Sequence, residues 1–255
     1  MGFKKHNQLE RLNPMSQQAP ENTLESLIHG MSLFDAIEFD IRLTVDEQVV
    51  IHHDREVSVS PSRRENRSRF VEDWTLDELT ELGFCSLESL LAHPTIQESV
   101  RERGKVLVVE SKRPSLKHKQ SGGLLNKKKH DAHMGKTMKL AEALLDQYEI
   151  PKRSTVHYAF HKSMKNAVRI GRIERDWSTL LPTVHPFAGR TIQRMLAFPE
   201  YAATSFARLM RKHQKNGSPM MPCAIEYILP PTNLVHFGRT CLLYTSPSPR
   251  DSLSS

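Results

Sequence analysis

The stretch Lys105-Val-Leu-Val-Val-Glu110 constrains what this chain can fold into more than any other. A run of apolar, mostly β-branched residues that is too short for a helix and has no polar alternation reads as a strand covered on both faces. Strands of that kind belong to parallel sheets, whose neighbouring strands need a crossover between them. The flanking sequence supplies such crossovers. Residues 20–30, PENTLESLIHG, place Asn22 as a helix cap with Glu25 at the third helical position, and Gly30 as the stop. Residues 35–43 are rich in β formers, and the turn signal Asp46-Glu47 separates them from a second short strand over 49–53. Helical patterns follow at 75–82 and, with leucines at helical spacing, at 86–91. Beyond the central strand come a helix over 137–148 and a strand over 154–160, an alternation that predicts parallel βα units.

Length and composition narrow the class. A chain of 255 residues makes one large or two small domains, and 38% hydrophobic with 25% charged residues excludes collagen, coiled coil and wholesale disorder. No apolar run approaches the roughly 18 residues that a membrane span needs. The start, MGFKKHNQLERLNP, lacks the apolar core of a secretory signal, so the expected location is cytoplasmic. Cys85, Cys223 and Cys241 are an odd number without close spacing, which indicates small buried hydrophobes rather than a disulfide framework or a zinc knuckle. Charge stands at 36 − 29 = +7, with a pI near 9.4, and suits an anionic partner. Lys117, Lys119, Lys127, Lys128, Lys129, Lys136 and Lys139 carry much of that excess in one stretch. No aromatic interrupts it, so a stacking platform for single strands is absent, nucleic acid is not the expected partner, and a solvated basic loop is expected. The His130/His133 spacing falls in the same stretch, where the neighbouring cations weigh against a metal site.

Candidate chemistry gathers at strand ends. Glu38 and Asp40 are two apart near the end of the 35–43 strand, so both carboxylates face one side. Glu110 and Lys112 close the central strand with the same spacing. In a parallel α/β protein the C-terminal strand ends form the active-site face, and three carboxylates meeting there make an oxygen-only site suited to Mg²⁺ or Ca²⁺. Each pair also reads as a solvated strand end with local ion pairing. His53-Asp54 ends the intervening strand, where an imidazole can serve as general acid or base. No G-x-S-x-G, G-x-x-x-x-G-K-[ST], H-E-x-x-H or C-x-x-C motif occurs.

Taken in order, Pro20-Glu21-Asn22-Thr23-Leu24-Glu25-Ser26, Glu38-Phe39-Asp40, His53-Asp54 and Glu110-Ser111-Lys112 resemble the glycerophosphodiester phosphodiesterase domain family. The turn Leu43-Thr44-x-Asp46, the segment Asp73-Trp74-Thr75-Leu76 and Ser86-Leu87-Glu88 support the likeness, which is specific over about residues 10–112. The resemblance implies a TIM (β/α)8 barrel of the phospholipase-C-like phosphodiesterase type and a metal-dependent hydrolase of glycerophosphodiesters or lysophospholipids. A pair of histidines would perform the acid and base steps. It further implies that Glu38, Asp40 and Glu110 hold one divalent cation, that His53 is one of the two histidines, and that Lys112 and Arg11 meet the phosphate.

Family members carry His-Arg about ten residues before the Pro-Glu pair, whereas this chain has Glu10-Arg11, with His6 four residues earlier. Glu10 is then the candidate for the missing acid–base role, and the competing expectation is a catalytically impaired domain that binds phosphate or lipid. The family's later strands have no counterpart after about residue 170. Instead there are a strand over 224–229, a helix start at 233–238 and a Ser/Pro-rich ending that resembles translated adapter sequence. The expected organisation is a phosphodiesterase-like domain over 1–239, incomplete at both ends, and a disordered tail over 240–255. Within 187–215, Arg194, Arg208, Arg211 and Lys212 lie beside Met195, Leu196, Phe198 and Phe206, a pattern open to an ordinary helix or to contact with a membrane surface.

Overall fold

The computed structural model describes residues 20–57, 68–115, 117–119, 127–159 and 164–179, together with residue 211. His6, Glu10 and Arg11, the 187–215 stretch apart from Arg211, the later strand and helix, Cys223, Cys241 and the 240–255 tail lie outside the described residues. The chain forms two compact units, one containing residues up to 108 with 140–154, the other 109–139 and the residues from 155 onward.

The first unit begins with α1, Leu24–Leu33, whose N-cap is Thr23 rather than Asn22. Thr23 Oγ1 accepts from the Ser26 N–H at 3.2 Å, and the Ser26 hydroxyl accepts from the Thr23 N–H at 3.2 Å. Asn22 sits at φ +60° and turns its amide elsewhere. The helix also runs past Gly30, which lies against Ile37: a Cβ there would come within 3.3 Å of the Ile37 Cγ2. Strand β1 spans Ala36–Leu43 and pairs antiparallel with β2, Val49–Ile51, in the register Ile41↔Ile51, Arg42↔Val50 and Leu43↔Val49. β2 pairs antiparallel with β3, Cys85–Ser86. Parallel βα repetition, the sequence expectation, therefore does not hold for these three strands, because only a tight turn separates β1 from β2 and a tight turn permits only antiparallel pairing. That turn is built by Thr44, whose hydroxyl donates to Asp46 Oδ1 at 2.6 Å and accepts from the Gln48 N–H at 2.8 Å, with Glu47 at φ +62°.

Asp46 also accepts from the Leu76 N–H at 3.2 Å and so ties the turn to α2, Leu76–Glu81, which Thr75 caps with Glu78 in a reciprocal box. A 3-10 turn, Val71–Asp73, precedes it. Helix α3, Leu87–Ala92, is capped by Ser86, and α4, Pro94–Arg101, carries proline in its first turn. The central strand β4, Val106–Ser111, contributes Val106–Val108 to this unit, with the Val106 N–H on the Asp35 carbonyl at 2.9 Å. Val50, Val57, Val71, Trp74 and Leu79 form one buried cluster here. Cys85 is buried too, and desolvation raises its thiol pKa above the ordinary value.

In the second unit the strand order is β4, then β5 (Thr155–Ala159), then β6 (Asp176–Thr179), and β5 and β6 are parallel with Val156↔Asp176 and Tyr158↔Ser178 in register. Helix α6, Met164–Gly171, is the crossover between them. Helix α5 runs Lys127–Gln147, ten residues longer at its start than the 137–148 helix expected from sequence. Much of the supposed basic loop is thus helix. Lys128, Lys129, Lys136 and Lys139 are exposed while His130, His133, Met134, Thr137, Met138 and Ala141 are buried, a 3.6-residue periodicity in which polar side chains occupy part of the buried stripe. Met134, Met138, Ala159, Met164 and Ala167 make this unit's core. Among the described residues no helix is long and apolar enough to cross a membrane.

Candidate active site

Glu38 and Asp40 are the third and fifth residues of β1, not its last ones, because Ile41–Leu43 extend the strand by pairing with β2. Alternation sends both to one face, where Glu38 is exposed and Asp40 is 3% exposed. Asn22 reaches across from the start of α1 to fix Asp40. Its Nδ2 donates to Asp40 Oδ2 at 2.9 Å and its Oδ1 accepts the Asp40 N–H at 3.1 Å, so the side chain and backbone of Asp40 are held together. Asparagine tolerates the left-handed conformation this reach requires.

The His-Asp turn follows β2 directly. His52 donates its N–H to the Asp40 carbonyl at 2.9 Å, continuing the ladder one step past the strand. Its half-buried ring meets Phe84 edge-on at 4.6 Å, and burial pulls the imidazole pKa below 6.5. His53 points outward with 63% of its side chain exposed, and its Nδ1 lies 2.9 Å from Asp54 Oδ1. That hydrogen bond holds the Asp54 carboxyl below its ordinary pKa. The arrangement leaves Nε2 of His53 as the ring nitrogen turned away from Asp54, as a proton carrier requires. Beneath the turn, Arg42 of β1 donates from Nη2 to the His53 carbonyl at 2.9 Å and pairs through Nη1 with Glu72 at 3.3 Å.

In the second unit Glu110, 4% exposed, is held at both oxygens: Oε1 accepts from Lys112 Nζ at 2.6 Å and Oε2 from the Tyr158 hydroxyl at 2.9 Å. The Lys112 side chain is 14% exposed. An ammonium carries three donors, so one on Glu110 is compatible with a role toward an anionic group. Sequence pattern alone does not assign these roles to Asn22 and Tyr158. Asn22 stands 18 residues from Asp40 and Tyr158 48 residues from Glu110. The signals are Asn22's place in the Pro20–Ser26 motif as a capping-type residue and a phenol in a predicted strand, and neither gives a strand register.

The described residues that could hold a metal ion are Glu38 and Asp40, from the first unit, and Glu110, from the second. Their donors are all carboxylate oxygens, the chemistry that selects hard divalent cations over zinc or copper.

A sequence model of the Glycerophosphoryl diester phosphodiesterase family matches residues 14–169, and the chain belongs to that family. The described residues are α/β, as the resemblance to a (β/α)8-barrel family implies, with helices α5 and α6 between the strands β4, β5 and β6. YhdW of Bacillus subtilis (strain 168), assigned as a glycerophosphodiester phosphodiesterase, is 30% identical over 188 residues, covering 73% of this chain and 70% of that protein. A glycerophosphodiester phosphodiesterase of Caldanaerobacter subterraneus subsp. tengcongensis is 40% identical over 68 residues, 26% of each chain. Among solved structures, an Oleispira antarctica phosphodiesterase in complex with the product sn-glycerol-3-phosphate aligns with a TM-score of 0.48 and 17% identity, over 88% of this chain and 86% of that one. A glycerophosphodiester phosphodiesterase from Thermotoga maritima aligns with a TM-score of 0.44 and 16% identity, over 82% and 83%.

Proposed function

We propose that this chain is a divalent-metal-dependent phosphodiester hydrolase acting on glycerophosphodiesters or lysophospholipids, with Glu38, Asp40 and Glu110 as metal ligands, His53 as an acid–base group and Lys112 at the phosphate. The observation that carries the reading is that the family match spans residues 14–169, and so contains every one of these residues. The cation is Mg²⁺ or Ca²⁺, on the oxygen-only character of the ligand set. When bound, such an ion offsets negative charge developing on phosphoryl oxygens. The Lys112 ammonium adds to that offset through its own positive charge. A hydroxyl of the substrate, or water, gives its proton to the second acid–base group and attacks phosphorus; the bond from phosphorus to the leaving alcohol oxygen breaks, and His53 supplies a proton to that oxygen. Asp54 supports this role, since a carboxylate on Nδ1 fixes the ring tautomer and leaves Nε2 for proton exchange. Glu10 and Arg11 remain the candidates for the second acid–base group and for a further phosphate contact.

The test is release of glycerol 3-phosphate from glycerophosphocholine, and of choline from lysophosphatidylcholine, with Mg²⁺, with Ca²⁺ and with chelator. Turnover that requires metal and falls about 10²–10⁴-fold in His53→Ala is the expected result. Folded protein that binds metal but turns over neither substrate would overturn the hydrolase reading in favour of a phosphate- or lipid-binding domain.

A further inference from the structure

Taking His53 as the acid–base group proposed above, the geometry points to Arg42 and Glu72 as a buried positioning pair that sets where the His53 imidazole stands. The two side chains are 3% and 0% exposed. Removing a guanidinium and a carboxylate from water costs several kcal/mol each, and well-packed apolar residues in place of such a pair are often neutral or stabilising. Glu72 enters from a 3-10 turn whose neighbours Val71 and Trp74 already belong to a packed apolar cluster, where an apolar side chain would be at home. Fold stability alone is therefore a weak reason for the pair.

What an apolar pair could not do is hold a carbonyl. The planar guanidinium places Nη1 on Glu72 Oε1 and Nη2 on the His53 oxygen, two acceptors read by one rigid fork. His53 itself is largely exposed, and an exposed ring takes its position from its backbone and from its Asp54 partner. That backbone is anchored on both sides of the His52–His53 step: the His52 N–H on the Asp40 carbonyl, and the His53 carbonyl on Arg42. The first anchor ties the turn to a proposed metal-ligand residue and the second fixes the direction in which the imidazole leaves the turn. Arg42 and Glu72 touch no reacting atom in this account; they act through His53.

The experiment uses the full chain carrying Arg42→Met with Glu72→Leu, and separately Arg42→Lys, whose single ammonium cannot span both acceptors. The expected double variant melts at or above the parent temperature, while kcat on glycerophosphocholine falls about 10²-fold with KM little changed, the signature of a misplaced acid–base group. The ¹⁵N signals of the His53 ring are expected to shift or broaden in the same variant, and Arg42→Lys to fall between it and the parent. Parent-like kcat and parent-like His53 signals in a folded variant would overturn the inference, as would a lowered melting temperature with kcat unchanged. If the double variant does not fold, Arg42→Lys decides by the same two readouts. A parent inert toward both substrates whose His53 signals still move in the variant would leave the positioning role standing and remove the catalytic reading of His53.

Discussion

At the scale of single residues, proposed functional groups in each unit are held by partners that sequence patterns do not reveal. Glu110 has each oxygen engaged, by Lys112 and by Tyr158. Hydrogen bonds that orient a ligating carboxylate typically contribute about 10–100-fold in metal affinity. Tyr158→Phe removes one without changing the ring's shape, and calorimetric titration with Mg²⁺ or Ca²⁺ is expected to show weakening in that range; unchanged affinity would separate Tyr158 from the metal ligand. His52 offers a different test. Burial disfavours its charged form, so its folded pKa lies below the ordinary imidazole value of 6.5 while the unfolded chain titrates near that value. Between the two values the unfolded state binds more protons, and stability rises with pH wherever that is so. The contribution is therefore full above about pH 6.5 and is lost as pH falls through that value toward the folded pKa. His52→Gln abolishes the titration, so the parent's melting temperature should fall more steeply than the variant's between about pH 7.5 and 5. Parallel curves would show that His52 folds without a proton cost.

At the scale of elements, glycines let helices α5 and α6 touch. A Cβ on Gly135 of α5 would lie 2.7 Å from Ile170 Cγ2, 2.8 Å from Ile170 Cβ and 2.9 Å from the Ala167 carbonyl, and one on Gly171 would lie 2.7 Å from the Gly135 carbonyl. A side-chain tip can rotate away, but a Cβ and a carbonyl cannot. Glycine to alanine inside a helix ordinarily stabilises by up to about 1 kcal/mol. Gly135→Ala is expected to reverse that sign and cost about 1–3 kcal/mol through overpacking, read as a lower urea midpoint with an unchanged slope. A stabilised Gly135→Ala would mean that α5 and α6 do not approach so closely. The elements legible in the sequence were those specified by neighbours in the chain: the helical pattern over 75–82, the leucine spacing of α3 and the apolar run of β4. The start of α5 was not, because His130, Asp131, His133 and Thr137 occupy its buried face and conceal the period from an apolar count. In sequence Asn22 reads as a cap because its partner lies on another element, whereas the antiparallel β1–β2 pairing follows from the tight turn at Asp46-Glu47. The candidate site was legible as residue types in order, through likeness to a family; its supporting shell of Asn22, Arg42, Glu72 and Tyr158 was not, since those contacts link residues 11 to 48 positions apart.

For the whole molecule, metal binding by the proposed ligands and folding are one linked equilibrium. An ion that binds only the folded chain stabilises it by mass action, about 2.7 kcal/mol at a concentration one hundred times its dissociation constant. For a chain of this size that corresponds to roughly 5–10 °C in melting temperature, at about 2–4 °C per kcal/mol. Glu38 is the informative proposed ligand to remove because it is exposed, so Glu38→Gln disturbs no packed core. It replaces a charged donor with a neutral amide, weakening the hold on the ion while relieving any repulsion from the neighbouring Asp40 carboxylate. The expected outcome is a crossing of two curves: without metal the variant melts at or above the parent temperature, and with saturating Mg²⁺ or Ca²⁺ the parent gains the larger shift, which chelator reverses. The net charge of +7 does not explain such a crossing, because general screening by salt acts on parent and variant alike. Equal shifts for both proteins, or none for the parent with either ion, would remove Glu38 from the ligand set and return the strand to a solvated pair of acids.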